Sequence, residues 1–508
     1  MSSVLIVGAG PTGLALACGL LVAGVDVRIV DAADAPATTS RALGLQPRGV
    51  EVLDRLGALG DLPERSVHMA GTIVHVHGKE KLRLAVPAGV VLGGRSALVI
   101  PQSEIEARLR ERVTQLGGHI EWGRAVTGIV QDTNAARVAF ADGLTTHADW
   151  VAACDGAGSR VRHAVGIPLL GETAPERFLL ADVRVALPVE PGFASMWAAE
   201  GGSLAAIPLP GDDLWRLMAP LPENEPDDPP AERIAGLLDG MLRRRTGMVL
   251  PSGDDVLWTS SFRIHRRLSD SYRRHRVLLA GDAAHINSPV GGQGMNTGLG
   301  DAENLAWKLA LVAQGQASTD LLDTYEAERR PVAEKVVRSV GGVDRLLLST
   351  HPAIAFLREH VLYPLVNRPA VQRRVWRTAS QLGISYRKGP LARGAGGRVG
   401  GRRPGDRMPD RSCRRADGAG DTRLYAELGG AWALLTGDPR RAVAGADGLR
   451  LRLGAGRLTV LVVADQPADR LVLVRPDGHI AWQGGVRGSP ERWLDTILHH
   501  APPDRLQG

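Results

Sequence analysis

Val4-Leu5-Ile6-Val7-Gly8-Ala9-Gly10-Pro11-Thr12-Gly13 is the stretch that decides the fold class. Its four leading residues form a short apolar run of the kind found in a strand covered on both faces. After the glycines comes an apolar helix candidate from Leu14 to Ala23, then a second run from Val25 to Val30 that ends at Asp31. Strand, glycine turn, helix, strand and acid, in that order, make a dinucleotide-binding unit. Gly8 permits the tight turn, Gly10 lets backbone N–H groups approach a pyrophosphate, and Gly13 lets the helix pack closely on the strand. Pro11 and Thr12, inside the turn, belong to the same contact. The helix start offers free N–H groups and the positive end of its dipole to phosphate oxygens. Asp31 stands where an acid accepts hydrogen bonds from the adenosine ribose, which disfavours a 2′-phosphate and favours FAD or NAD over NADP. The expected class is α/β with a Rossmann-like domain.

Two later segments carry the reading further. Val277 to Ala280 reads as a buried strand ending in Gly281-Asp282, which places a carboxylate at a strand's C-terminal end, where ligands of open α/β sheets collect. Ser288-Pro289-Val290-Gly291-Gly292-Gln293-Gly294-Met295-Asn296-Thr297-Gly298 follows, ahead of a helix expected over 302–312. Upstream, Cys154-Asp155-Gly156-Ala157-Gly158-Ser159-Arg160-Val161-Arg162 follows the apolar run 150–153.

These three ordered motifs resemble those of the FAD-dependent aromatic hydroxylases of the p-hydroxybenzoate hydroxylase class. More narrowly, the chain resembles actinomycete polyketide hydroxylases and antibiotic-inactivating monooxygenases, over nearly its whole length. The resemblance implies FAD as cofactor, NADPH or NADH as transient reductant, and O2 and an aromatic small molecule as the other partners. Oxygen would pass from a flavin C4a-hydroperoxide to an electron-rich substrate, so the hard chemistry is flavin-borne and no catalytic side chain is assigned. By motif position the resemblance gives Asp282 to the ribityl chain. It gives the backbone of Gly291, Gly292, Gly294, Met295 and Asn296 to the pyrimidine edge of the flavin. Pro289, Gly291 and Gly292 would shape a water-excluding pocket for the peroxide. Asp155 and Arg162 lie in a segment used for flavin and pyridine-nucleotide handling, and Arg41 and Gln102 match positions that touch the cofactor. Two departures stand out: Gly300 replaces a usual polar residue, and Asp31 stands where Glu is commoner. Baeyer–Villiger or epoxidising chemistry on a polyketide stays open as an alternative, as does a flavin-binding protein without turnover.

Composition narrows the remaining classes. Of 508 residues 44% are apolar, too many for a disordered chain. Lys and Arg number 61 against 55 acids, a net charge of +6, but the bases are scattered, with Arg243-Arg244-Arg245 the longest run. A nucleic-acid binder should concentrate them in a stripe, so no nucleic-acid partner is expected. The three cysteines, Cys18, Cys154 and Cys413, lie far apart and in no CxxC, which fits a reducing compartment and excludes dithiol chemistry. No metal site is expected: His75 and His77, or His499 and His500, have no ligand cluster at metal spacing. No secretory leader and no apolar run of membrane-spanning length is found, so the expected location is cytoplasmic. A homodimer stays open. His285, close to Asp282 in sequence, is read as packing or hydrogen-bonding locally.

Between the Asp155 and Asp282 segments, apolar runs broken by Gly, Pro and Asp turns read as antiparallel strands. Phe193, Trp197 and Trp215 are the aromatic candidates for a substrate pocket there. The stretch 391–407 is rich in Gly and Arg and reads as a linker. The alternating strands and helices beyond it resemble the thioredoxin-like C-terminal domain of the polyketide hydroxylases, without CxxC. The expected organisation is an FAD-binding domain over 1–172 and 264–390, a substrate domain with an antiparallel sheet over 173–263, to which part of 70–98 contributes, and a thioredoxin-like domain over 391–508.

Overall fold

The computed structural model describes residues 3–39, 42–86, 96–199, 202–250, 255–288, 292–348, 351–394, 396, 401–485 and 488–498. Its first sheet has six strands in the order Arg273–Arg274, Val277–Leu279, Trp150–Ala153, Ser3–Val7, Asp26–Val30, Ile120–Glu121. All its pairings are parallel except that of the Arg273–Arg274 edge. Val4, Leu5, Ile6 and Val7 are buried, as an apolar run in a parallel sheet must be. From Ser3–Val7 the chain crosses to one side for Asp26–Val30 and later returns on the other with Trp150–Ala153. Val7 is in register with Val30 and with Ala153, and Ala153 with Leu279. The four strands therefore end together, at the point where the direction of winding reverses.

The helices that matter for the site are α1 (Pro11–Val22), α2 (Pro47–Leu56), α3 (Gln102–Gln115), α4 (Arg160–Ala164), α5 (Ala231–Thr246), α6 (Gly294–Ala313) and α7 (Asp323–Leu348). α6 begins at Gly294 instead of the expected 302. Glycine lowers helix propensity, so the sequence between places the start too late. Tertiary contact overrides propensity here: a Cβ on Gly298 would sit 2.3 Å from Thr12 Oγ1, and one on Gly300 2.9 Å from an Arg329 guanidinium nitrogen. Thr12 meets Gly298 and Gly19 meets Ala306, so α1 and α6 run side by side in the same direction.

A second sheet has eight strands in the order His285–Ile286, Val256–Ser269, Leu169–Arg184, Leu214–Pro220, Gly202–Pro208, Phe193–Ala199, Gly71–Val76, Lys79–Ala85. Only Phe193–Ala199 and Gly71–Val76 pair in parallel. α5 covers one face with Ile234, Leu238, Met241 and Leu242. The opposite face turns Ile207 and Leu214 toward Leu43, Val99 and Leu209, beside the chain segment at Gly44.

The last part of the chain forms a mixed sheet in the order Asp421–Arg423, Ser412–Arg415, Leu458–Val462, Trp432–Thr436, Arg470–Val474, Ile480–Gly485. It meets α6 through an edge-on stack of Trp307 and Trp432, ring centroids 5.3 Å apart. Among the described residues no helix is long and apolar enough to cross a membrane.

Candidate functional site

The shared strand ends bring the three motifs to one edge. Gly8 donates its N–H to Val30 O at 2.8 Å, Cys154 to Val7 O at 2.7 Å, and Ala280 to Ala153 O at 3.0 Å. Gly8 has φ +106, and a Cβ there would lie 2.3 Å from the carbonyl oxygen of Cys154, so the turn passes against the neighbouring strand's exit. Gly10, by contrast, faces open space: a Cβ on it would meet nothing within 4 Å. Gly10 and Gln293 immediately precede α1 and α6, and neither caps its helix with a side-chain hydrogen bond. Two adjacent parallel helices thus present uncapped N–H groups and positive dipole ends on the same side.

Asp31 closes the turn instead of standing free. Its Oδ2 accepts the Ala9 N–H at 2.6 Å and its Oδ1 the Ala33 N–H at 2.8 Å. Gln102, at the start of α3, donates to Glu106 Oε1 at 2.7 Å. Burial raises the Glu106 carboxyl above its ordinary range, and the nearby Asp31 adds to the shift. Asp155 accepts from the Ser159 hydroxyl and the Val161 N–H, so its carboxylate is spent on starting α4. Arg162 is 2% exposed and donates to Ala283 O at 3.0 Å and Ala157 O at 3.1 Å. It ties the Asp155 segment to the Asp282 segment. Asp282 reaches solvent between the strand ends. The surrounding protein pushes its carboxyl above the usual range, with His285 opposing and Asp301 adding.

Asn296 is 1% exposed, and its side chain is used as a strap: Nδ2 donates to Gly44 O and Gly292 O, and Oδ1 accepts the Gln46 N–H. Gly292 and Gly44 lie so close that a Cβ on Gly292 would be 3.5 Å from the Gly44 Cα. Met295 is half-buried against the core, and Gly294 opens α6. Arg41, Pro289 and Gly291 lie outside the described residues.

The aromatic candidates are corrected by strand alternation. Trp197 and Trp215 belong to the apolar cluster under α5. Successive residues of a strand face opposite sides, and Trp215 adjoins Arg216, which is in register with Ile207 on the site-facing side. Phe193 shares the parity of Trp197 and lies under the Arg83 guanidinium at 5.1 Å. The half-buried apolar wall toward the site is made instead by Ile207, Leu214 and Met218. Trp197→Ala is therefore expected to destabilise the protein by about 3–5 kcal/mol with KM for an aromatic substrate unchanged, as read by thermal unfolding and steady-state kinetics.

Asp301 and Arg329, which the sequence reading left out, surround the Asp282 segment together with His285. Asp301, inside α6, hydrogen-bonds His285 Nε2 at 2.6 Å through Oδ2 and accepts Arg329 Nε at 2.7 Å through Oδ1. Oδ2 also accepts the Gly281 N–H at 3.2 Å. Burial opposes Asp301 ionisation, but Arg329 and His285 overcome it and hold the carboxyl below its ordinary range. The acid one helical turn after Thr297 was the available signal.

Comparison with known proteins decides the family. Residues 1–340 match the FAD binding domain family and residues 401–501 match the aromatic-ring hydroxylase C-terminal family. The chain belongs to the FAD-dependent aromatic-ring hydroxylases. This hydroxylase is 32% identical to 6-methylpretetramide 4-monooxygenase of Streptomyces rimosus, over 99% of its own length and 95% of that protein's. The solved anhydrotetracycline hydroxylase from Streptomyces rimosus is 30% identical, with a TM-score of 0.78 and 98% and 99% of the two chains covered. A dialkyldecalin synthase of Streptomyces rugosporus is 30% identical over 97% of this chain and 98% of that one.

The hydroxylase is an FAD-dependent monooxygenase, and its residues fit that cofactor. The open space at Gly10, the two uncapped helix starts and the solvent-reaching Asp282 form one cradle at one sheet edge. FAD held there would supply the redox chemistry, accepting hydride from NAD(P)H and activating O2. The chain's own uncapped helix starts would supply anion binding and position. Asp282→Ala should weaken FAD retention tenfold or more, the loss of a charged hydrogen-bond acceptor being worth about 1.5–3 kcal/mol. The flavin-to-protein absorbance ratio after gel filtration reads it.

Proposed function

We propose that this hydroxylase inserts one oxygen atom into a phenolic or polycyclic aromatic substrate of the polyketide type. The observation that carries the reading is the half-buried apolar surface of Ile207 and Leu214, packed with Leu43 beside Gly44, with Arg216 and Met218 on the same sheet face. A mainly apolar face with one charged pair beside a flavin cradle suits a large aromatic substrate that carries polar groups. In this reading the Gly8–Gly13 turn and α1 hold the pyrophosphate, with Asp31 at the adenosine ribose and Asp282 at the ribityl chain. Gln102 and Arg41 contribute at the cofactor, and the backbone around Gly292 and Gly294 meets the pyrimidine edge, with Pro289 and Gly291 completing the pocket.

The domain division is the FAD-binding unit over 1–172 and 264–390, the substrate unit over 173–263, and a thioredoxin-like unit over 391–508. What supports the last is its topology: Trp432–Thr436 is parallel to Leu458–Val462 across the helix Pro439–Leu453, then antiparallel to Arg470–Val474, which pairs with Ile480–Gly485. Its single cysteine excludes dithiol chemistry, which leaves an architectural role. Three free, buried cysteines suit a cytoplasmic location. The exposed Phe356, Leu357 and Val361 offer a homodimer an apolar face, and sedimentation of the purified protein measures it.

The test is incubation of FAD-loaded protein with NADPH, O2 and a panel of polyketide phenols, followed by mass spectrometry. A gain of one oxygen with the rings intact, together with substrate-stimulated NADPH consumption, is expected. A lactone would assign Baeyer–Villiger chemistry. A rearranged product without NADPH consumption would assign a flavin-bound cyclase, a reading favoured by the likeness to dialkyldecalin synthase.

A further inference from the structure

Thr297, Asp301, Asn304 and Lys308 share one face of α6 at helical spacing, and each is at most 1% exposed. A helix face that is polar and fully buried needs partners along its whole length, and it has them. At the cofactor end, Asp301 holds the Gly281 N–H, His285 and Arg329. Arg329 also donates to Thr297 O at 2.9 Å, in the first turns of the helix. At the far end, Asn304 and Lys308 each donate to Glu328 Oε2 at 2.8 Å, and Asn304 reaches Asp477 Oδ2 at 3.3 Å. Arg475 grips Glu328 with two hydrogen bonds of 2.8 and 3.0 Å and also pairs with Asp477. Tyr386 joins the two ends: its ring lies 5.3 Å from the Arg475 guanidinium and 4.2 Å from the His479 ring, and its hydroxyl accepts Arg329 Nη1 at 3.0 Å.

Buried ion pairs are a poor source of stability, because desolvation offsets most of their attraction. Their directionality does fix the register of packed elements, where apolar surfaces can slide. Register matters here, since the start of α6 and the Gly281–Asp282 segment have to meet the same flavin. We propose that the Arg475–His479 turn of the C-terminal unit is a positioning element for the flavin, acting through Tyr386 and Arg329 on Asp301. Tyr386 and Arg329 are positioning residues in this chain of contacts. The proposal rests on placing the flavin between those two segments.

Tyr386→Phe removes only the hydroxyl that Arg329 reaches and leaves the ring in its stack. FAD titrated onto the apoprotein, the visible spectrum of the bound flavin and its midpoint potential are the readouts. Affinity should fall about fivefold, the equivalent of one hydrogen bond, with a changed bound-flavin spectrum and a shifted potential; the thermal midpoint falls as well, because the buried Arg329 Nη1 loses its acceptor, so the spectrum and the potential carry the test. Asp477→Asn, further along the chain of contacts, should weaken FAD in the same sense. Arg452→Ala breaks an outlying pair with Asp495 in the same unit and should leave FAD affinity unchanged. Unaltered affinity and spectrum in Tyr386→Phe overturn the proposal, as does an Arg452→Ala loss equal to that of Asp477→Asn. Failure of the wild-type apoprotein to bind FAD would instead overturn the placement of the flavin.

Discussion

Gly13→Ala is expected to leave the protein unable to retain FAD, with affinity lowered more than about a hundredfold and stability lowered by about 1–3 kcal/mol. The new Cβ would sit 1.9 Å from the Gly8 carbonyl oxygen and 3.2 Å from the Cys154 Cβ. Neither neighbour can step aside. Gly8 is itself at φ +106, pressed against the Cys154 backbone, and Cys154 is tied to Val7 O. The start of α1 would have to move away from the strand, carrying with it the N–H groups proposed to bind the phosphates. Gly10→Ala makes the useful contrast. Its Cβ meets no protein atom within 4 Å, so the fold should be untouched while a bound pyrophosphate loses its room. Flavin content and thermal unfolding of both variants separate the two effects. A Gly13→Ala protein that purifies yellow with a normal midpoint would refute this account of the turn.

The parts of the fold that were legible are those written in local pattern. Val4 to Asp31 announces strand, turn, helix and strand because its apolar periodicity and its glycines agree, and nothing distant interferes. The start of α6 was not legible, because Gly294, Gly298 and Gly300 speak against a helix until Thr12 and Arg329 are seen to need the space. The side of the sheet on which Trp197 and Trp215 lie was not legible either. Alternation tells that Trp215 and Arg216 face opposite ways, but only the position of α5 tells which way is in. Asp155, Asp31 and Asn296 were singled out from motif position, and the structure uses their side chains to shape loops. For Asp301 the decisive partner is Arg329, and Asp477 with its neighbour Arg475 closes on Glu328 and Asn304, all distant in sequence from the residues they meet.

Long-range charge also sets the second large effect, expected for Glu51→Gln. Glu51, on α2, is 2% exposed and accepts from Arg407 of the C-terminal unit at 2.8 Å, from Arg48 at 3.2 Å and from the Tyr425 hydroxyl at 3.3 Å. Burial opposes its ionisation, but Arg407, Arg48 and Arg55 overcome the penalty and hold the carboxyl at about 2 against an ordinary 4.5. That depression corresponds to about 3 kcal/mol of native stability. Its sign is that of a carboxylate favoured in the native state: fully present above the unfolded value near 4.5, and lost as pH falls through about 2. Glutamine keeps the shape and removes the charge. Arg48 and Arg55 retain Glu303, whereas Arg407 loses the carboxylate that binds it to α2. The variant should therefore unfold about 3 kcal/mol more easily at pH 7, with the Trp307–Trp432 junction reporting the separation by fluorescence. Its deficit should shrink as the pH is lowered, because the wild-type carboxylate then becomes protonated and resembles the amide. A deficit of the same size at pH 7 and near pH 2.5 would show that Glu51 acts by packing alone, with no contribution from its charge.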